Sequence, residues 1–404
     1  MEEIAIVTAS LEGSVFCYTF SISQCVLTPV FNSHDHIGRV KALSVSPSGI
    51  IATAGEDESI KLYNFNSKRS LASIVGPKGV CSRLVATRKF LIAAHETGKV
   101  SISGVKDMAI YHQLSVFKHP VIDCDLHSSG KLLLCLSKTG RFALWSLADC
   151  SMVFHRKSAA GHETIRFLND LEFVLANRKS IHLFDIKTME IACEFSVDDD
   201  NGITDVFVHN YKGKNFLLVG DERGFVRIIP QAQLTKGNEN PLSITFSAYD
   251  QRVKRIRAVN NYLIGICTDG RITIWDAQKF FEMEELKGDL LFENYLCINE
   301  FKMDSRLVLL EAFEPRVVRQ AAKEDNAEEA PHPQKDKIPS KPSNDPQVKL
   351  GKDKAKPVKP DTKPAKHEGK FNKNQNGPSK KQGQKNAPQA KQAEAQQKKK
   401  IKKH

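Results

Sequence analysis

The sequence has no Cys-x-x-Cys pair, and its nine cysteines are odd in number: Cys17, Cys25, Cys81, Cys124, Cys135, Cys150, Cys193, Cys267 and Cys297. Metal ribbons and a closed disulfide framework are both disfavoured. No apolar run approaches the roughly 20 residues needed to span a bilayer. The start, Met1-Glu2-Glu3-Ile4-Ala5, lacks the basic opening and apolar stretch of a signal peptide. A soluble protein of a reducing compartment, cytosol or nucleus, with no membrane partner is the expectation. Enzymatic signatures are missing as well: no Gly-x-x-x-x-Gly-Lys-Ser/Thr phosphate loop, no Gly-x-Ser-x-Gly elbow, no His-Glu-x-x-His helix and no kinase set. The chain is therefore expected to have no catalytic residues, cofactor, metal site or small-molecule substrate.

Arginine is absent from the last 84 residues, and so are large apolar side chains, apart from Ile338, Val348, Leu350, Val358, Phe371 and Ile401. Such a segment cannot bury enough apolar surface to offset roughly 1–2 kcal/mol of backbone entropy per residue, which predicts a disordered tail. The tail also holds the charge. Residues 1–320 carry 37 Lys+Arg against 37 Asp+Glu, whereas 321–404 carry 22 Lys against 10 Asp+Glu, so the net +12 lies entirely beyond Gln320. Lys398, Lys399, Lys400, Lys402 and Lys403 form a compact basic cluster of the kind importins read, with Lys380 and Lys381 upstream. Lysine without arginine, beside a single aromatic, suits delocalised phosphate attraction better than base readout.

What the body does contain is a repeat. A small or acidic turn leads into alternating residues that close on an aromatic: Asp57-Glu58-Ser59-Ile60-Lys61-Leu62-Tyr63-Asn64 in one copy and Asp269-Gly270-Arg271-Ile272-Thr273-Ile274-Trp275-Asp276 in another. Weaker copies end at Tyr18, Ser103, Trp145, Phe184-Asp185 and Ile229-Pro230. Seven copies spaced by roughly 40–45 residues match the period of a four-stranded propeller blade. The pattern resembles the WD-repeat family, whose hydrogen-bonded set of His, Ser/Thr, Asp and aromatic is matched by His36, Thr53, Asp57 and Tyr63. Elsewhere it is eroded: Gly161-His162 survives but Arg178 replaces the turn Asp, Thr139 replaces it before Trp145, and Ala248-Tyr249 stands where Gly-His belongs.

The expected architecture is all-β: a seven-bladed WD-repeat β-propeller over residues 1–313 and a disordered Lys/Pro-rich tail over 314–404. Three N-terminal strands precede the next blade, one short of four. The missing strand is expected from Leu291–Phe301, leaving Arg306–Phe313 to pack on the last blade or the underside.

Other candidates read more simply as structure. His162-Glu163 has no second His and fits the blade pattern; Asp198-Asp199-Asp200 reads as a solvated loop, with a cation site as the alternative. The richest charge in the body is Arg252, Lys254, Arg255 and Arg257 beside Tyr249. In a strand, 255 and 257 share one face and 254 takes the other. These four are the candidate partner or RNA contact, against an ordinary solvated blade entrance.

The run His127-Ser128-Ser129-Gly130-Lys131-Leu132 before Leu144-Trp145-Ser146, then Ala248-Tyr249-Asp250-Gln251-Arg252-Val253-Lys254 before Asp269-Gly270-Arg271, then a Lys-rich end, resembles the p21-activated protein kinase-interacting protein family of nucleolar WD-repeat factors. That resemblance implies a non-enzymatic factor of large-ribosomal-subunit assembly in the nucleus and nucleolus. Its partners would be pre-ribosomal proteins, rRNA and importin. Two alternatives stand beside it: a negative regulator that binds a p21-activated kinase, and an adaptor of a ubiquitin ligase.

Overall fold

The structure, a computed structural model, describes residues 3–158, 161–196, 202–283, 288–293 and 297–315. Among these residues the only helical elements are Gln278–Phe281 and a single turn at Gln231–Gln233; the rest of the regular structure is strand. The strands form seven sheets, antiparallel except for one added edge strand, the blades of a β-propeller. From blade 1 to blade 7 the inner strands are Leu307–Phe313, Val40–Val45, Cys81–Ala86, Val121–Leu126, Thr164–Phe167, Ile203–Tyr211 and Val253–Val259.

All seven anchors of the sequence repeat lie on the third strand of a blade, and all are buried: Tyr18, Tyr63, Ser103, Trp145, Phe184, Ile229 and Trp275. Second strands such as Ile50–Gly55, Leu132–Ser137 and Tyr262–Cys267 are buried along nearly their whole length. They are covered by a neighbouring blade on each face, so they read as apolar runs rather than alternations. The core accordingly divides into seven clusters, one at each seam between blades. Successive residues of one strand serve opposite seams: Trp275 packs toward blade 6 and Ile274 toward blade 1. Blades with eroded turns stay in place because the seams hold them, not the turns.

The ring closes differently from the sequence expectation. Leu307–Phe313 pairs with Glu3–Ser10 and is the inner strand of blade 1, so the segment expected to be left over is the closing strand. The segment expected to close the ring is split: Cys297–Lys302 is the fourth strand of blade 7, and Leu290–Glu293 adds in parallel to the outer edge of blade 6. The reason is a strand count. Blade 7 has only three strands up to Trp275 and must take Cys297–Lys302 before anything remains for blade 1. The added strand pairs the free side of Ile244–Ser247 and becomes the new edge of blade 6.

Six of the seven inner strands carry a bulge at the same point, skipping Lys41, Ser82, Ile122, Thr204, Lys254 and Val308 in the pairing with the second strand. A bulge re-aims the residues beyond it. Together with the equivalent positions of blade 5, whose inner strand has no bulge, those residues form two rings around the central channel. Ala42, Arg83, Asp123, Thr164, Asp205, Arg255 and Leu309 make the first, and Ser44, Val85, Asp125, Arg166, Phe207, Arg257 and Glu311 the second.

Candidate interaction face and channel

The face of interest carries the loops between blades and the turns between second and third strands. In blade 2 the four residues picked from the sequence come together there. His36 Nδ1 lies 3.1 Å from Asp57 Oδ2 and Nε2 lies 2.7 Å from Thr53 Oγ1. An ionised carboxylate only accepts, so Nδ1 carries the proton and Thr53 donates to Nε2. Asp57 also accepts from the backbone N–H of Ile37 at 3.0 Å and of Ser59 at 3.1 Å. Despite partial burial these donors hold its pKa down at about 2. Tyr63, the aromatic of the set, turns elsewhere, its hydroxyl donating to Asp35 Oδ2 at 3.1 Å.

The other predicted blade residues keep the places but not the bonds. Asp269 accepts from Arg271 Nε at 2.7 Å and from the Cys267 thiol. Trp275 is fully buried against Phe246 and Tyr249, and the indole N–H groups of both Trp145 and Trp275 find no partner among the described residues. These rings are therefore held by packing. His162 meets His182 edge-on at 4.7 Å and neither of its nitrogens has a described partner. Burial, then the His182 charge, lowers its pKa to about 4. Phe184 stacks on Phe173 at 5.1 Å, while Asp185 and Asp276 sit on the opposite face, accepting from Lys187 N and Gln278 N at turns.

The four candidate contact residues do not form one surface. Arg257 is buried in the channel, donating to Asp205 Oδ2 at 2.9 Å and pairing with Glu311 Oε1 at 3.2 Å. Arg255 shares its side of the strand and lies 3.6 Å from Asp205 Oδ1. Arg252 pairs with Glu222, which also takes Arg178. Lys254, at the bulge, is half-buried; burial, then Arg252, Arg39 and Arg255, lowers its pKa. The lysines Lys380, Lys381, Lys398, Lys399, Lys400, Lys402 and Lys403 lie outside the described residues, as does Asp198-Asp199-Asp200.

Sequence reasoning missed the channel. Its rings carry Arg83, Arg166, Arg255 and Arg257 against Asp123, Asp125, Asp205 and Glu311, equal numbers of each sign. Asp123 Oδ2 accepts from Arg166 Nη1 at 2.6 Å and from the backbone N–H of Ile165 at 3.0 Å, joining blade 4 to blade 5. Asp205 does the same for Arg257 and Ile256, joining blade 6 to blade 7. Burial alone would raise the Asp205 pKa, but Arg257 and Arg255 overcome it and hold it below the ordinary carboxylate value. The available signal was local: Asp123 and Asp125 alternate in an otherwise apolar strand, and Arg255 and Arg257 alternate within Val253–Val259. A cavity of about 970 Å³ opens from this channel. Among the described residues no group of three or more His, Cys, Asp or Glu could hold a metal ion.

No protein-family model matches the sequence. Among curated proteins it is similar to Shk1 kinase-binding protein 15 of Schizosaccharomyces pombe, 26% identical over 61% of this chain and 70% of that protein. It is also similar to the p21-activated protein kinase-interacting protein 1-like of Xenopus laevis, 21% identical over 81% of this chain and 86% of the relative. The Danio rerio protein of the same description is 22% identical over 68% and 73% of the two chains.

Proposed function

The chain is a WD-repeat β-propeller of the p21-activated protein kinase-interacting family, and from that premise we propose that it is a non-catalytic scaffold of large-ribosomal-subunit assembly in the nucleolus. The observation that carries this reading is the way the body uses its charge. Asp123–Arg166 and Asp205–Arg257–Glu311 pair with one another across seams, which makes the channel a rigid, neutral axle. Loop residues around it are left to meet partners. A rigid ring with two rims of loops serves assembly, and the lysine-rich region adds address and salt-sensitive attraction to rRNA.

Gradient sedimentation with RNA crosslinking tests it, using the full chain and a chain ending at Gln320. The full chain is expected on large pre-ribosomal particles, with RNA association that weakens as salt rises. Absence of both forms from those particles would sink the proposal. Replacing Lys398, Lys399, Lys400, Lys402 and Lys403 by Ala is expected to shift the protein toward the cytoplasm, by loss of importin recognition.

The names of the relatives, a kinase-binding and a kinase-interacting protein, favour a second reading, direct binding of a p21-activated kinase. It predicts that the protein stays in light fractions and binds the purified kinase.

A further inference from the structure

Three adjacent blades place arginine at one equivalent point of the loop face. Arg306, Arg39 and Arg252 immediately precede the inner strands of blades 1, 2 and 7. Each carbonyl accepts an N–H from the facing turn, from Leu11, Glu56 and Thr268 respectively. Blades 3, 4 and 6 have Val80, Pro120 and Gly202 at that point instead. The bulges then add Lys41 and Lys254 to the same sector.

Most of these cations are matched: Arg306 by Glu12, Lys41 by Glu56 and Arg252 by Glu222. Two are not. Among the described residues neither Arg39 nor Lys254 has a carboxylate within 4.0 Å. Lys254 sits among like charges from Arg252, Arg39 and Arg255, an arrangement that favours an anion from outside.

Two residues before Arg39 stands Ile37, 83% exposed. Its presentation is built in: its N–H donates to Asp57 Oδ2 at 3.0 Å, and Gly38 turns the chain with φ +88. The His36–Asp57 network thus fixes an apolar side chain in solvent beside unpaired cations.

We propose that the sector formed by blades 7, 1 and 2 docks an acidic segment of a partner protein, with an apolar residue on Ile37 and carboxylate side chains on Arg39 and Lys254. This deepens the scaffold reading, on which it rests, by naming the contact surface and the partner's chemistry. Glu12, Glu56 and Glu222 lie among the cations and would repel a continuous phosphate backbone, whereas separate acidic side chains can address the two free charges. Among the described residues the exposed aromatics that stacking on bases requires, Phe90 and Tyr111, belong to blade 3, outside the sector.

The test uses the full chain and two fluorescent probes followed by anisotropy: a short Glu/Leu peptide and a short single-stranded RNA of equal charge. Because the lysine-rich region acts on both probes, the quantity read is the ratio of each variant to the parent chain. Arg39→Gln with Lys254→Gln is expected to weaken the peptide about tenfold, and Ile37→Ser by a similar factor, as the loss of a charge-assisted contact or a seated aliphatic chain implies. RNA affinity should change by less than about twofold, and thermal unfolding of each variant should match the parent. Unchanged peptide affinity overturns the proposal; so does an equal loss for RNA, which would mark a phosphate-backbone surface. A peptide lacking Leu that binds as well as the Glu/Leu probe overturns the role of Ile37. None of these outcomes depends on whether the protein sediments with pre-ribosomal particles.

Discussion

Asp205 of blade 6 accepts a 2.9 Å hydrogen bond from Arg257 Nη1 of blade 7, and Asp123 of blade 4 repeats the arrangement with Arg166 of blade 5. In each case the acid also accepts from the backbone N–H one residue before the arginine, and the arginine donates to that residue's carbonyl. The motif is a clasp between inner strands of neighbouring blades. Removing Asp205 takes away the only carboxylate within 4.0 Å of Arg255 among the described residues and leaves buried Arg257 with Glu311 alone, so Asp205→Ala is predicted to destabilise by about 3 kcal/mol, the low end for breaking a buried pair. Urea unfolding at neutral pH measures it. The pKa of Asp205 is lowered in the fold, so its contribution is present above the unfolded value near 3.8 and is lost as pH falls through the folded one. The gap between parent and Asp205→Ala should therefore shrink in acid.

Gly55 has no room for a side chain. A Cβ there would stand 2.5 Å from His36 Nδ1 and 2.7 Å from Asp57 Oδ1. Gly55→Ala is predicted to break the hydrogen bond that orients His36 and to cost about 1–3 kcal/mol, the penalty of an unsatisfied buried polar group. Hydrogen exchange supplies a sharper readout, because the Ile37 amide is held by the same carboxylate and should lose protection.

These two sites mark what could be read from the sequence and what could not. His36, Thr53 and Asp57 were legible because one blade retains a spaced, chemically specific set within 22 residues. The seven anchors were legible because every blade buries its third strand in the same way. The clasps were not, since Asp123 and Arg166 are 43 residues apart and Asp205 and Arg257 are 52 apart, and Arg257 reads by itself as part of the surface cluster with Arg252, Lys254 and Arg255. Ring closure was misread for a similar reason. Leu290–Glu293 and Cys297–Lys302 form one apolar stretch in sequence but join different blades, and only the strand count of blade 7 separates them.

Blade 7 solves the blade 2 problem with other residues. Tyr249 and His36 both lie four residues before their inner strands, and Gly265 and Thr53 are both fourth in their second strands. The larger ring requires the smaller partner: a Cβ on Gly265 would lie 2.8 Å from Trp275 Cζ3 and 3.0 Å from the Tyr249 hydroxyl. Gly265→Thr is predicted to cost about 1–3 kcal/mol by overpacking. Combining it with Tyr249→His, which restores the blade 2 pair, should cost less than the two single changes together, with a coupling of about 1 kcal/mol or more in a double-mutant cycle. Trp275→Ala sets the scale at about 3–5 kcal/mol, as truncation of a fully buried ring. Additive costs would contradict the exchange of Tyr249 and Gly265 for His36 and Thr53.

His162 faces the opposite situation from His36. The turn of its blade has Arg178 in place of an acid, and its neighbour is a second imidazole, His182, which in turn lies 3.6 Å from Glu194. With nothing to accept its proton bond, charging His162 is unfavourable. Its folded pKa of about 4 lies below the ordinary 6.5, so the unfolded chain binds the proton more readily between those values. Stability is therefore predicted to fall as pH drops from about 6.5 toward 4, with His162 contributing up to about 3 kcal/mol of the loss. His162→Phe keeps the ring and removes the titration. Urea midpoints of parent and variant at pH near 7 and near 4.5 should show the variant losing less on acidification, and parallel losses would assign the acid sensitivity to other groups.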